Sequence, residues 1–123
     1  MRNFRDLDVW KSSVLFVKKI YQVTSTFPNT EKYSLTSQIS RCAVSIPSNI
    51  AEGCSRNSQK DFSRFLQISL GSAFELETQI EIAKELNFVD QGQYDDLIPE
   101  LHVIQKRIQA LKKYVETQTN PNG

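Results

Sequence analysis

The chain has 123 residues, 39% hydrophobic and 24% charged, with a formal net charge of +1. That length makes one domain with enough buried surface for a core that needs no metal or disulfide, and the composition is that of a globular fold rather than a disordered chain. No apolar run approaches the roughly 20 residues of a membrane helix, and the opening MRNFRDLDVW lacks the apolar stretch of a secretory signal. A cytoplasmic protein with no membrane partner is the expectation. Through Lys60 there are 9 Lys and Arg against 4 Asp and Glu, and from Asp61 onward 6 against 10. Such polarity suits an anionic partner at one end or attraction between subunits, and it is far weaker than the charge of a dedicated nucleic-acid binder.

The first predicted helix covers about residues 7–26. Val9, Ser13, Phe16, Ile20, Val23 and Phe27 step by three and four, a second row at Trp10, Val14, Val17 and Tyr21 widens the apolar face, and Pro28 stops the run. The second helix, about 35–54, carries Leu35, Ile39, Ala43, Ile46 and Ile50. Pro47 interrupts it, at a typical cost of about 3 kcal/mol in a helix interior. The apolar register nevertheless continues without a slip, which predicts one helix kinked at Pro47, with Ser45, Ser48 or water partly compensating the lost hydrogen bond to Ala43.

The third helix, about 59–86, starts at Ser58, where Ser58 and Asp61 resemble a capping box. Its stripe runs Phe62, Leu66, Ser69, Ala73, Leu76, Ile80 and Ala83, and the mid-helix Gly71 suggests close approach of another helix. The fourth, about 92–117, carries an unbroken seam from Tyr94 through Leu101 and Ile108 to Val115. Pro99 predicts a kink or a fractured first turn there. The tail TQTNPNG reads as polar and frayed. No period-2 alternation of any length and no hairpin turn appear. The expectation is an all-α, up-down-up-down four-helix bundle forming a single domain over residues 1–123.

Chemistry is scarce. His102 is the only histidine, and no HExxH, CxxC or Glu-x-x-His pair supplies metal ligands. Phosphate loops and nucleophile elbows are missing, so no catalytic residue, metal or cofactor is expected and no small-molecule substrate is predicted. Cys42 and Cys54, twelve residues apart, lie about 18 Å apart on one helix, too far for a disulfide. Cys42 reads as a small core residue, while Arg56 and Lys60 could lower the Cys54 pKa. Glu77, Glu81 and Glu85 share one fourfold-spaced face typical of a solvated surface. Two further polar rows, Gln38–Arg41–Ser45–Asn49–Glu52–Arg56 and Gly71–Ser72–Glu75–Gln79, mark an interface, a channel or plain surface. Arg41, Arg56, Lys60 and Arg64, with Arg2, Arg5 and Lys11 behind them, are the candidate anion or nucleic-acid contacts. No interleaved aromatics for base stacking are evident.

The stretch YSLTSQISRCAVSIPSNIAEGCSRNSQKDFSRFLQISLGSAFELETQIEIAKEL resembles the signature of the 23S rRNA intervening-sequence proteins, also labelled S23 ribosomal proteins. FRDLDVWKSSVLFVKKIYQVTSTFP resembles that family's first helix. The most specific parts are SIPSNIAEG, then Arg56 and Ser58, and GSAFELETQ. The resemblance implies a four-helix bundle that assembles as a ring, a homopentamer, with a distant relation to the accessory proteins of diversity-generating retroelements. It implies structural or interfacial roles for Ser45, Pro47, Asn49, Glu52, Gly53, Ser58, Gly71, Ser72 and Glu75, and no catalytic residue. The expected function is a non-enzymatic, oligomeric adaptor for RNA or an RNA-binding protein. The alternative is a purely protein-binding scaffold without nucleic-acid contact.

Overall fold

The computed structural model describes residues 2–118, so residues 119–123 of the tail, expected to fray, lie outside the described residues. Four helices account for most of it: α1 (Asp8–Thr24), α2 (Leu35–Cys54), α3 (Gln59–Glu85) and α4 (Gln91–Thr117). Among the described residues there is no strand, and no helix is long and apolar enough to cross a membrane. Sequential helices are neighbours, and α4 returns beside α1. Cross-helix partners run in opposite senses. Ile46 meets Ser69 and Cys42 meets Ser72 across α2 and α3, and Ser12 meets Arg107 while Lys19 meets Glu100 across α1 and α4. The bundle is therefore up-down-up-down, as the alternating apolar stripes require.

Those stripes form the core. Phe16, Ile20, Ile39, Ile46, Ile50, Leu66, Leu76, Ile80, Leu97, Leu101, Ile104 and Ile108 are essentially without exposed surface. Each such side chain contributes about 1.5–3 kcal/mol by leaving water. The second row of α1 is only partly used: Trp10 and Val17 pack against the core, whereas Val14 and Tyr21 stay exposed. Lys19 joins α1 to α4 through Asp96 at 2.8 Å and Glu100 at 2.6 Å, and these partners raise its pKa despite some burial.

The helix ends follow local chemistry. Ser58 accepts from the Asp61 amide at 3.1 Å, but its expected partner arm is replaced by an ion pair of Asp61 with Arg64. The complete capping box lies at α4, where Asp90 and Gln93 bond reciprocally. Asp is a strong cap and Gln reaches back to the cap amide, so the D-x-x-Q spacing was a readable signal. Helix α3 ends in a Schellman arrangement: Phe88 N–H donates to Ala83 O at 2.8 Å and Asn87 N–H to Lys84 O at 2.9 Å. Asn87 occupies the left-handed region at φ 63°. Helix α1 closes two residues earlier than expected, because Thr26 and Phe27 turn back with tighter bonds to Val23 and Thr24.

Both interior prolines sit within continuous helix. Residues 45–52 are helical through the buried Pro47. Ser45 does not compensate Ala43, since its hydroxyl faces Ser72 instead. The fractured first turn expected at Pro99 does not occur: α4 begins cleanly at Gln91, eight residues earlier, and Pro99 lies on the exposed face. Water can reach the carbonyl that Pro99 leaves without a backbone donor.

Gly71 is exposed, and a Cβ added there meets nothing within 4 Å, so no helix of its own chain approaches it. The close approach is at Gly53, where a Cβ would stand 2.8 Å from Phe62 Cδ1 and 3.0 Å from Phe65 Cβ. Gly71→Ala is expected to raise urea-unfolding stability by about 0.5–1 kcal/mol, because glycine is entropically costly in a helix. Gly53→Ala should lower it by about 1–3 kcal/mol, the usual cost of forcing atoms into a packed contact.

Candidate functional site

Helices α2 and α3 meet along a seam of small polar residues. Ser69 Oγ donates to the Ile46 carbonyl at 2.8 Å, Cys42 Sγ donates to the Ser72 carbonyl at 3.0 Å, and the Ser45 and Ser72 hydroxyls are 2.8 Å apart. Asn49 Nδ2 donates back to Ser45 Oγ and to the Ser45 carbonyl, each at 2.9 Å. Short side chains let the helices come this close, and each hydroxyl bond contributes about 1 kcal/mol net. The sequence rows thus become one network through Ser45, Asn49 and Ser72. Gln38, Arg41 and Glu75 border a shallow groove of about 260 Å³ above it. Gln79, from the same row, turns inward and is only 7% exposed.

The thiols belong to this packing. Burial pushes the Cys42 thiol up from 9.0 to about 12, with the charge of Glu75 adding to the shift. Cys54 is also raised by burial, and Arg2 opposes the shift without reversing it. The expected lowering by Arg56 and Lys60 is therefore overturned: the low dielectric around the sulfur outweighs the nearby charge.

The basic residues assemble at the α2–α3 end. Arg56 and Arg64 approach the half-buried Phe65 ring at 4.5 and 4.8 Å, and Arg2 lies 5.4 Å from Phe62 and 5.7 Å from Tyr114. Phe62 and Phe65 lie among the cations on the side of α3 that faces Gly53, but Phe62 is buried and Phe65 half-buried beneath two arginines, so neither is a free ring for base stacking. Arg2, Arg56, Asn57 and Gln59 line a depression of about 390 Å³. Lys60 is exposed one turn before Arg64. Two cations are already paired, Arg56 with Glu52 at 2.7 Å and Arg64 with Asp61 at 3.8 Å. The backbone N–H groups of the first turn of α3 face the same end. Arg41 stands apart, fifteen residues or about 22 Å up α2 from Arg56.

A second polar cluster was not legible as one. Glu77 does not lie on a purely solvated face. Gln105 Nε2 donates to it at 2.8 Å and His102 Nε2 lies 3.2 Å away. The Gln105 hydrogen bond holds the Glu77 carboxyl below its usual range, against a smaller opposing effect of burial, with His102 assisting. The Glu81 carboxylate beside the Tyr94 phenol raises its pKa. Nothing in the linear spacing links residues 77 and 105; only the α3–α4 pairing does.

Helix packing, a polar seam and one basic end define a small helical-bundle protein. No group of three or more His, Cys, Asp or Glu there could hold a metal. The chain belongs to the 23S rRNA-intervening sequence protein family, which it matches over residues 5–110. It is similar to a crystal structure of a protein of unknown function from the S23 ribosomal protein family of Bacteroides thetaiotaomicron. The two are 27% identical, with a TM-score of 0.79 over 85% of this chain and 95% of that one. No curated protein matches the chain.

A thiol raised in the folded state contributes its full stability below its unfolded value and loses it as pH rises towards its folded value. The unfolding midpoint should therefore fall between pH 9 and about 12, and fall less in Cys42→Ala. Iodoacetamide should label neither cysteine rapidly at about pH 8 until denaturant opens the bundle. Rapid labelling of the folded protein would contradict this.

Proposed function

We propose that the protein is a non-enzymatic, self-associating bundle that holds RNA, or an RNA-bound protein, at its α2–α3 end. The observation that carries this reading is the convergence of Arg2, Arg56 and Arg64 on Phe62 and Phe65 beside the start of α3. Arginine held over the face of an aromatic ring leaves its in-plane N–H groups for a phosphate. Membership of the intervening-sequence family supports the RNA class.

The charge of one such end is modest, because Glu52 and Asp61 offset two of its cations. Self-association addresses this. A ring, five-membered as the family resemblance implies, would repeat the end on one rim, and several weak phosphate contacts would act at a shared effective concentration. The same two ion pairs favour the second reading, a scaffold that binds only protein, in which Arg56, held by Glu52 and lying over Phe65, staples the end of α2 to α3.

Fluorescence anisotropy with a labelled RNA hairpin separates the two. The adaptor should bind at low salt with log affinity falling linearly against log salt, as counterion release requires. Replacing Arg56 and Arg64 by Glu should weaken it at least tenfold without loss of helical signal. Absence of binding at low salt leaves the scaffold.

A further inference from the structure

Among the exposed apolar side chains of the bundle, two groups border grooves of opposite charge. On the first, Tyr21, Tyr33 and Val44 border a groove of about 660 Å³ along the amino-terminal half of α2, with Lys32 and Arg41 as its charged lining. Tyr33 projects furthest, at 89% exposed, with the Lys32 ammonium 5.5 Å from its ring. On the second, Phe74 and Ile82, each nearly half exposed, flank a groove of about 690 Å³ between α3 and α4. Its charged lining is Glu77, Glu81 and His102, and Lys84 stands over Tyr94 beside it. An exposed isoleucine and phenylalanine one groove apart are costly in water, and covering them is worth about 25 cal/mol per Å² of apolar area.

We infer that these two surfaces are the two halves of one contact between copies of this chain: the Tyr33 projection and Lys32 of one copy dock in the Phe74–Ile82 groove of the next. The inference rests on the self-association proposed above and assigns its faces. Complementarity of charge argues for this occupant: Lys32 and Arg41 come from the basic half of the chain, Glu77 and Glu81 from the acidic half. The two grooves have similar volumes, and each lacks what the other supplies.

The surfaces differ, so the contact is heterologous and runs head to tail. They also lie at the same height on the bundle. Cys42 and Ser45 of α2 are hydrogen-bonded to Ser72, and Gln38 shares a groove with Gln79, so residues 36–45 stand level with residues 72–82.

The test uses light scattering and sedimentation of the full chain. Tyr33→Ala with Lys32→Glu removes the projection, and Glu81→Lys with Ile82→Lys blocks the groove; circular dichroism checks that both stay folded. Each variant alone should fall to the mass of one chain. Mixed in equal amounts, they should form a dimer and nothing larger, since one intact projection and one intact groove remain. Tyr33→Ala alone, at a side chain too exposed to affect folding, should weaken assembly at least tenfold. Variants that keep the wild-type mass, or a mixture that stays monomeric, overturn the assignment of faces and leave self-association standing. A wild-type chain that is itself monomeric overturns both.

Discussion

The missing Cβ at Gly53 sets the geometry on which the α2–α3 end depends. With hydrogen in that place, Phe62 and Phe65 lie directly against the last turn of α2, and any side chain would stand within 3.0 Å of their atoms. Small polar residues extend the same proximity along the seam, through Ser45, Ser69 and Ser72. The aromatic rings held there then become the support for Arg56 and Arg64. One glycine thus links packing in the core to the placement of charge at the surface.

Polar groups in this bundle mostly serve geometry. The seam bonds satisfy hydroxyls that would otherwise be buried without partners, which would cost more than the bonds return in isolation. The Glu77–Gln105–His102 cluster does for α3 and α4 what the serines do for α2 and α3, with longer side chains. Lys19 with Asp96 and Glu100 marks a third pair, α1 and α4. Each of these three pairs has a polar register mark, and registers set by hydrogen bonds are less easily slipped than those set by apolar contact alone.

The apolar stripes left outside the core give the surface its direction. Tyr33, Phe74 and Ile82 are too few to build a second core and too large to be ordinary surface residues. Their placement on opposite charge fields ties the assembly question to the uneven distribution of acids and bases between the two halves of the chain. The basic end at Arg2, Arg56 and Arg64 lies away from both grooves, at the α2–α3 turn. The proposed self-association and the proposed anion contact therefore use different surfaces.

Helix number, order and inward faces were legible in the amino-acid sequence because periodicity of three and four is a local property. Every residue of the Phe62-to-Ala83 stripe is buried as its spacing demands, and Ser58 and Pro28 mark ends by chemistry within a few residues. The continuity of α2 through Pro47 was legible for the same reason, since the phase on either side agreed. What lay beyond reach was any property needing two distant segments at once. Gly71 and Gly53 are alike in sequence, and only the position of Phe62 shows which one meets a neighbour. Cys54 sits near cations in the chain, yet its thiol responds to the depth of its burial. Arg56 and Arg64 share a ring because α2 and α3 turn back on each other. Local spacing determines which face a residue takes on its helix; which other side chains reach that face is decided by how the helices pack.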